Sequence, residues 1–167
     1  MQDALRALNR LEADGLIGGY AIGGAVGASF YIDAMQTEDV DAFVFLPEPT
    51  SGLALLGPIY AALQAQGGVI EREYVRFGSW PLQILTDATP LLAEAIREAV
   101  DVTFHDVPTR VFRPEHLCAV ALQTGRAKDY LRVSLFLEQG AVGMDELNGV
   151  VERYGLVERL KRVRETL

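Results

Sequence analysis

The stretch YAIGGAVGASFYIDAMQTEDVDAFVF, residues 20–45, decides the fold of this chain. It predicts four elements in succession: a strand at 20–22, a tight glycine turn at Gly23-Gly24, a small-residue helix at 25–34 and a strand at 39–46. Apolar residues alternate with Asp39 and Asp41 in the last of these. Because successive side chains of a strand point to opposite faces, both carboxylates are predicted to point the same way.

The pair Asp39 and Asp41 is typical of a site for a divalent cation. Hard cations such as Mg²⁺ prefer oxygen ligands, and two carboxylates on a rigid strand can converge on one ion. Gly23 and Gly24 would let backbone N–H groups approach phosphate oxygens closely. Each feature also has a structural alternative, since aspartates often mark a solvated strand edge and Gly-Gly often only makes a turn. Their order and spacing together favour a metal-bound nucleotide.

Other chemical motifs fit the sequence less well. The segment 23–27 lacks the first spacing of a dinucleotide fingerprint, and no Gly-Lys-Ser/Thr sequence occurs. Cys118, the only cysteine, excludes an internal disulfide and a thiolate metal cage, and its apolar helical surroundings predict an inert buried thiol. His105 and His116 are too far apart to form a recognisable metal motif, although His105 would supply a base if it lay beside Asp41.

The rest of the chain predicts an α+β fold, a mixed sheet with flanking helices followed by a C-terminal helical subdomain. Further strands are predicted at 70–77, 81–86 and 102–112, the first two joined at Gly78-Ser79. Helices are predicted at 2–13, 53–65 after a Thr50 or Ser51 cap, 90–99 after Thr89, 115–123, 127–138, 145–153 and 156–165. We expect an α/β core at 1–113 and a helical subdomain at 114–167, packed together because no linker separates them.

The charge distribution excludes a broad basic surface. The chain has a net charge of −8, and residues 1–104 contain 5 basic against 14 acidic residues. Duplex DNA held through its phosphates is therefore not an expected partner. A short basic cluster, Arg159, Lys161, Arg162 and Arg164, suits RNA or an acidic partner, but a solvated face of a terminal helix is the simpler interpretation.

A membrane span is not expected either. Residues 15–32 carry no charge, and Gly19, Gly23 and Gly27 have the spacing of a membrane helix dimer. The run barely reaches spanning length, however, and Asp14 and Asp33 flank it where lysine or arginine would be usual. Since residues 1–10 also lack an apolar signal core, we expect a cytoplasmic protein.

The sequence resembles the nucleotidyltransferase superfamily related to DNA polymerase beta, and within it the minimal AbiEii-like branch linked to toxin-antitoxin and phage-defence systems. The resemblance rests on Ile22-Gly23-Gly24, on Thr37 and Asp39-Val40-Asp41, and extends through 114–117, 124–129 and 153–156. It implies that Asp39 and Asp41 bind Mg²⁺ or Mn²⁺ and that a nucleoside triphosphate is the substrate. It also implies that the triphosphate meets the chain at Gly23, Gly24, Thr37, Arg126 and Lys128.

Two departures from the family pattern bear on catalysis. Active members usually carry a third carboxylate on a later strand, where this chain has Gln83. A neutral amide cannot accept a proton from an attacking hydroxyl. Asp87 shares the face of Gln83 and is the candidate replacement base, although a turn-forming role before Thr89 is the simpler interpretation. Ala121 stands where related toxins tend to carry a lysine.

The sequence therefore leaves three functions open. The first is transfer of an NMP group to a protein or RNA hydroxyl, and the second is a non-catalytic nucleotide- or protein-binding module paired with a cognate partner protein. The third is a structural α/β domain in which the Asp-x-Asp is coincidental. Arg126, Lys128 and Arg132 would line a nucleotide cleft under the first two functions and a solvated helix face under the third. Tyr74, Phe77 and Trp80 are predicted to pack in the core or hairpin.

Overall fold

A mixed seven-stranded sheet forms the centre of the computed structural model, which describes residues 1–33, 37, 39–47 and 56–166. The strands are β1 Gly19–Ile22, β2 Val40–Phe45, β3 Val69–Glu71, β4 Tyr74–Phe77, β5 Trp80–Thr86, β6 Val100–Phe104 and β7 Val107–Val111. The helices are α1 Gln2–Ala13, α2 Gly24–Ala28, α3 Leu56–Ala65, α4 Pro90–Arg97, α5 Pro114–Thr124, α6 Ala127–Glu138, α7 Met144–Arg153 and α8 Val157–Arg164.

The sheet has the order β3-β4-β5-β2-β1-β7-β6, with β2 at its centre. Strand β2 pairs antiparallel with β1 on one side and parallel with β5 on the other. The parallel register sets Asp41 opposite Gln83, and the antiparallel register sets Ala42 opposite Ile22. The predicted α+β class with a mixed sheet is therefore confirmed.

The two faces of β2 lie in two different parts of the core. Val40, Ala42 and Val44 pack with the apolar residues of α1 and α3, including Leu5, Leu8, Leu11, Ile59 and Leu63. Phe43 and Phe45 pack on the opposite face, with residues of helices α4 to α7. The alternation predicted for 39–46 is thus confirmed. Each fully buried leucine contributes about 1.5–3 kcal/mol, so the register of β2 is strongly specified.

Two predicted strands are hairpins in the structure. The segment 70–77 turns at Arg72, with φ of 58°, between β3 and β4. The segment 102–112 turns at His105, with φ of 55°, between β6 and β7. Pro108 lies within β7, where it faces Thr103 of β6, while β7 pairs with β1 at Val111. A residue without an N–H is tolerated there because β1 does not need its donor.

Helix α2 ends at Ala28, whereas the sequence predicted a helix to residue 34. Residue 34, the predicted cap at Thr50 or Ser51 and the first residues of the helix predicted at 53–65 lie outside the described residues. Within the described ranges, none of the helices is long and apolar enough to span a membrane. Helices α5 to α8 contribute to the same apolar cluster as Phe43 and Leu91, and the boundary at residue 113 stays a prediction.

The Glu94 side chain joins three helices. It is 13% exposed and accepts a hydrogen bond from the Tyr154 hydroxyl at 2.6 Å, and its Oε1 also meets Arg153 of α7. His116 Nε2 of α5 lies 3.0 Å from the same oxygen. Burial alone would raise the pKa of Glu94, but the hydrogen bonds from Tyr154 and His116, together with the Arg153 charge, lower it.

We expect Glu94→Gln to lower the free energy of unfolding by about 1–3 kcal/mol at pH 7, because it removes a charge that three partners stabilise. A carboxyl with a lowered folded pKa stabilises the protein above its unfolded pKa, about 4.3 for glutamate, and loses this contribution as pH falls through the folded value. Urea denaturation from pH 7 to pH 3 should therefore show that the free energies of unfolding of the two proteins become similar in acid.

Glu98→Gln is the matched control. Glu98 follows the last residue of α4, one helical turn beyond Glu94, is 46% exposed and meets Arg113 at 3.6 Å. Exposed pairs of this kind contribute less than about 1 kcal/mol, so the control should remain close to the wild type. Equal losses in the two variants would show that the Glu94 network does not stabilise the packing of α4, α5 and α7.

Candidate functional site

An open cavity of about 860 Å³ lies between the first residues of β2 and β5 and the helices α5 and α6. Its acidic wall contains Asp39 and Asp41, and its basic wall contains Arg126, Lys128 and Arg132. Apolar side chains, including Phe43, Leu85, Phe112 and Leu117, form the floor of the cavity. The volume is within the range of small-molecule and cofactor sites.

The glycine turn between β1 and α2 positions Asp41. Gly23 donates its backbone N–H to the carbonyl oxygen of Asp41 at 3.0 Å, which fixes the turn to β2. A side chain at Gly23 would collide with the rings of Phe43 and Phe112, whereas one at Gly24 would collide with the Asp41 carboxylate. Gly24 also has φ of +58°, a conformation that favours glycine. Both glycines are therefore needed for packing alone.

Of the two glycines, Gly24 lines the cavity and Gly23 lies behind it, against the aromatic rings. Helix α2, which begins at Gly24, has only five residues. Its aligned peptide dipoles are correspondingly fewer than those of the ten-residue helix that the sequence predicted. The contact of Gly23 and Gly24 with a triphosphate stays a prediction.

The surroundings of Asp41 disfavour the ionised form of its carboxyl group. Burial and then the neighbouring charge of Asp39 raise its pKa to about 6, and Arg132, Arg126 and Lys128 oppose this rise. A divalent cation between the two carboxylates would relieve both the burial cost and the repulsion. The donors are hard oxygens, which suit Mg²⁺ or Mn²⁺. Thr37 also lines the cavity and donates its hydroxyl to the carbonyl oxygen of Asp39 at 3.1 Å.

A row of side chains continues from Asp41 across the sheet. Gln83 is the partner of Asp41 in the parallel pair, and Tyr74 of β4 is the partner of Gln83. Adjacent strands are about 4.8 Å apart, so the three residues follow one another along one wall of the cavity. Burial, and then the charges of Asp39, Glu73 and Asp41, raise the pKa of Tyr74.

Tyr74 is a site residue that the sequence assigned to core or hairpin packing. The alternation of β4 and the hairpin register would have brought it beside Gln83, but the separate β3 was not recognised. Phe77 is buried, and Trp80 packs partly against the core, as predicted.

Two candidate bases lie away from Asp41. Asp87 follows the last residue of β5, four residues beyond Gln83, which places it about 13 Å further along the strand direction. It does not belong to the cavity lining. The His105-Asp106 turn lies at the opposite end of the sheet from Asp41, because β7 runs parallel to β1 and meets Ile22 only at Val111. The condition under which His105 would supply a base, a position beside Asp41, is therefore not met.

The basic wall is built around one buried carboxylate, Asp129, which is 1% exposed. It accepts hydrogen bonds from the backbone N–H of Arg126 at 3.2 Å and from its Nε at 2.7 Å, which caps the N-terminus of α6. Arg132 Nη1 reaches the other carboxylate oxygen at 3.4 Å. Lys128 is exposed at the cavity, and Ala121 also lines it. All three predicted cations line the cavity.

A second group of possible ligands involves Glu94, Glu98 and His116, whose donor atoms lie within 4.8 Å of one another. Arg153 already meets Glu94 and Arg113 already meets Glu98, so these carboxylates have positive partners without a metal ion. The cluster is explained by helix packing. Cys118 is fully buried, and burial raises the pKa of its thiol, as expected for an inert core residue.

Comparison with solved structures identifies the fold. The solution structure of the antibiotic-resistance factor ANT(2″)-Ia matches 95% of this chain and 95% of its own at 15% identity, with a TM-score of 0.55. Its crystal structure in complex with adenylyl-2″-tobramycin matches 92% and 95% at 15% identity, with a TM-score of 0.56. An antigenic nucleotidyltransferase-like protein from Paracoccidioides brasiliensis matches 95% and 89% at 16% identity, with a TM-score of 0.57.

No protein-family model matches the chain, and no curated protein shows significant sequence similarity to it. At 15–16% identity the structural matches establish the fold alone. The chain therefore has a nucleotidyltransferase-like fold, which agrees with the superfamily that the sequence resembles.

We expect Gly24→Ala to destabilise the protein more than Gly78→Ala does. Both glycines have φ near +60°, so each substitution carries a backbone cost of about 1–2 kcal/mol. A side chain at position 78 would meet nothing within 4 Å, whereas one at position 24 displaces the Asp41 carboxylate. Chemical denaturation measures the difference, and equal losses would contradict the contact between Gly24 and Asp41.

We expect Asp41→Asn to stabilise the ligand-free protein at pH 7. A carboxyl whose pKa is raised by folding destabilises the folded state once the unfolded chain ionises, above about pH 3.9. The penalty is complete above the folded value of about 6, where it amounts to at most about 3 kcal/mol. Denaturation between pH 3.5 and 8 should show that the stability of the variant, relative to that of the wild type, increases as pH rises.

Asp101→Asn is the control for this experiment, because Asp101 is exposed on β6 and does not line the cavity. Its stability difference from the wild type should stay within about 0.5 kcal/mol across the range. A variant Asp41→Asn that is less stable than the wild type at pH 7 would show that neighbouring groups already compensate the carboxylate.

Proposed function

We propose that this protein binds a nucleoside triphosphate with Mg²⁺ or Mn²⁺ in the cavity and transfers its NMP group to a hydroxyl of a protein or RNA. The observation that supports it most directly is the half-buried Asp41 carboxylate, repelled by Asp39 and facing a wall of three cations across a nucleotide-sized space. The nucleotidyltransferase-like fold supports the same class of reaction.

In this proposal Asp39 and Asp41 hold the cation, which supplies charge neutralisation of the triphosphate when bound. Gly24 and Thr37 lie at the same end of β2 and approach the phosphates with little steric hindrance. Arg126 and Lys128 attract the phosphates from α6, at the other side of the cavity. Tyr74 and the apolar side chains on the floor of the cavity offer contacts for the nucleoside or the acceptor.

The acceptor hydroxyl could belong to a protein, an RNA or a small molecule. The complex of ANT(2″)-Ia contains adenylyl-2″-tobramycin, so a protein of this fold can hold an adenylylated hydroxyl compound. For this chain the AbiEii-like resemblance favours a protein or RNA hydroxyl and a role in a toxin-antitoxin or defence pair. Transfer to the hydroxyl of a small molecule would instead make the activity of this chain similar to that of the resistance factor.

Gln83 favours a second function, a non-catalytic binding module. It occupies the strand position directly beside Asp41, where a third carboxylate would lie close enough to act as a base. Loss of a general base costs typically 10²–10⁴-fold in rate. We assign no base to Asp87, because about 13 Å of strand separates it from Gln83. A protein that binds the nucleotide and presents it to a partner would need only the rest of the cavity.

Transfer of label from each of the four α-³²P-nucleoside triphosphates tests the proposal. Purified protein is mixed with Mg²⁺ or Mn²⁺ and with separate RNA, protein and small-molecule fractions of a lysate. We expect label in the RNA or protein fraction, lost at least about 100-fold in Asp39→Ala and Asp41→Ala, since each removes a cation ligand. Asp101→Ala, on exposed β6, should retain full activity.

Gln83→Glu separates the two functions. If a missing base limits the rate, restoring a carboxylate beside Asp41 should raise transfer by about 10-fold or more. Nucleotide binding that needs Asp39 and Asp41 but never leads to transfer, even in Gln83→Glu, would support the binding module. Absence of both binding and transfer in the wild type would overturn both functions.

A further inference from the structure

Arg132 is a buried cation whose hydrogen-bonding capacity is largely unused. It is 7% exposed, lies on α6 and lines the cavity. A guanidinium has five N–H donors, and among the described residues Arg132 forms one hydrogen bond, from Nη1 to Asp129 at 3.4 Å. Its Nε is buried without a hydrogen-bond partner in the described part of the chain. Leaving such a donor unpaired costs free energy, so we expect a bound ligand to supply the missing acceptor.

Asp129 is not a full counter-ion for Arg132. Its carboxylate is held more tightly by Arg126, through a backbone N–H, Nε at 2.7 Å and Nη2 at 3.2 Å. The basic wall therefore has three cations, Arg126, Lys128 and Arg132, against one carboxylate, a surplus of two positive charges. Burial lowers the pKa of Arg132, which reflects how poorly its charge is solvated before a ligand arrives.

Among the described residues, Asp41 and Asp39 also influence Arg132, from across the cavity. Asp41 and Asp39 interact with it electrostatically, but neither forms a hydrogen bond with it among the described residues. A cation bound by these two aspartates would remove that attraction and leave Arg132 still in need of an anion. The Nε edge of arginine fits two oxygens of one phosphate, which a lysine or a water molecule cannot match.

We propose that Arg132, supported by Arg126 and Lys128, binds the polyphosphate chain of the nucleoside triphosphate at a site that does not depend on the metal. The inference rests on the proposed function for the identity of the ligand. The phosphate that undergoes transfer must lie beside Asp39 and Asp41, so the phosphates that reach the opposite wall are those that leave.

Binding of inorganic tripolyphosphate in the presence of EDTA tests the site without a metal, a nucleoside or a reaction. Calorimetry should detect binding to the wild type and a loss of about 10- to 100-fold in Arg132→Gln. Arg132→Lys, which keeps the charge but not the two-donor edge, should lie between them. Arg162→Gln removes the same charge from exposed α8 and should bind within about twofold of the wild type.

The variant Asp41→Asn distinguishes failure of this site from failure of the proposed function. It lacks one cation ligand, yet it should bind tripolyphosphate at least as well as the wild type, because a negative charge facing Arg132 is gone. Circular dichroism of Arg132→Gln and Arg132→Lys verifies their folds. If Arg132→Gln is folded and binds tripolyphosphate like the wild type, Arg132 is only a counter-ion of Asp129 and the proposal fails.

An oligoribonucleotide without a 5′-triphosphate serves as the competing anion in the same assay. We expect it to displace tripolyphosphate at least about 10-fold less effectively than ATP does, because diester phosphates offer fewer charged oxygens to the Nε edge. If the oligoribonucleotide binds more tightly than ATP and loses this affinity in Arg132→Gln, the site recognises RNA and the assignment to the triphosphate is overturned.

Discussion

The contact between the Gly23-Gly24 turn and Asp41 determines the geometry of the whole site. The backbone hydrogen bond from Gly23 fixes the turn to β2, and the missing side chain of Gly24 leaves space for the carboxylate. The rings of Phe43 and Phe112 fill the space behind Gly23 with centroids 4.9 Å apart. A site held in this way is preorganised, since its carboxylate is set by the same packing that stabilises the sheet.

The cost of this arrangement is electrostatic. Two carboxylates on one wall and three cations on the other are kept apart by the cavity, and Asp41 and Arg132 are partly removed from water. Neither set is neutralised within itself, which is unfavourable for stability but typical of a binding site for a metal and a polyanion. The Glu94 network shows the opposite case, because its carboxylate has donors on three sides and contributes to helix packing.

The sequence predicted those features that depend on local periodicity. Asp39 and Asp41 face the same way because a strand repeats every two residues, and the apolar faces of β2 follow the same rule. The turns at Arg72 and His105 were missed, since both are non-glycine residues with positive φ. The place of Tyr74 beside Gln83 and the unpartnered Nε of Arg132 were not predicted, because they depend on contacts between distant segments.

The most direct test of the account is a crystal structure of the protein with Mn²⁺ and a non-hydrolysable ATP analogue, with the anomalous signal of manganese recorded. We expect a manganese peak between the carboxylates of Asp39 and Asp41, within about 2.3 Å of an oxygen of each, and phosphate oxygens at Arg132. A manganese ion bound elsewhere, with Asp39 and Asp41 too far apart to share an ion, would contradict it.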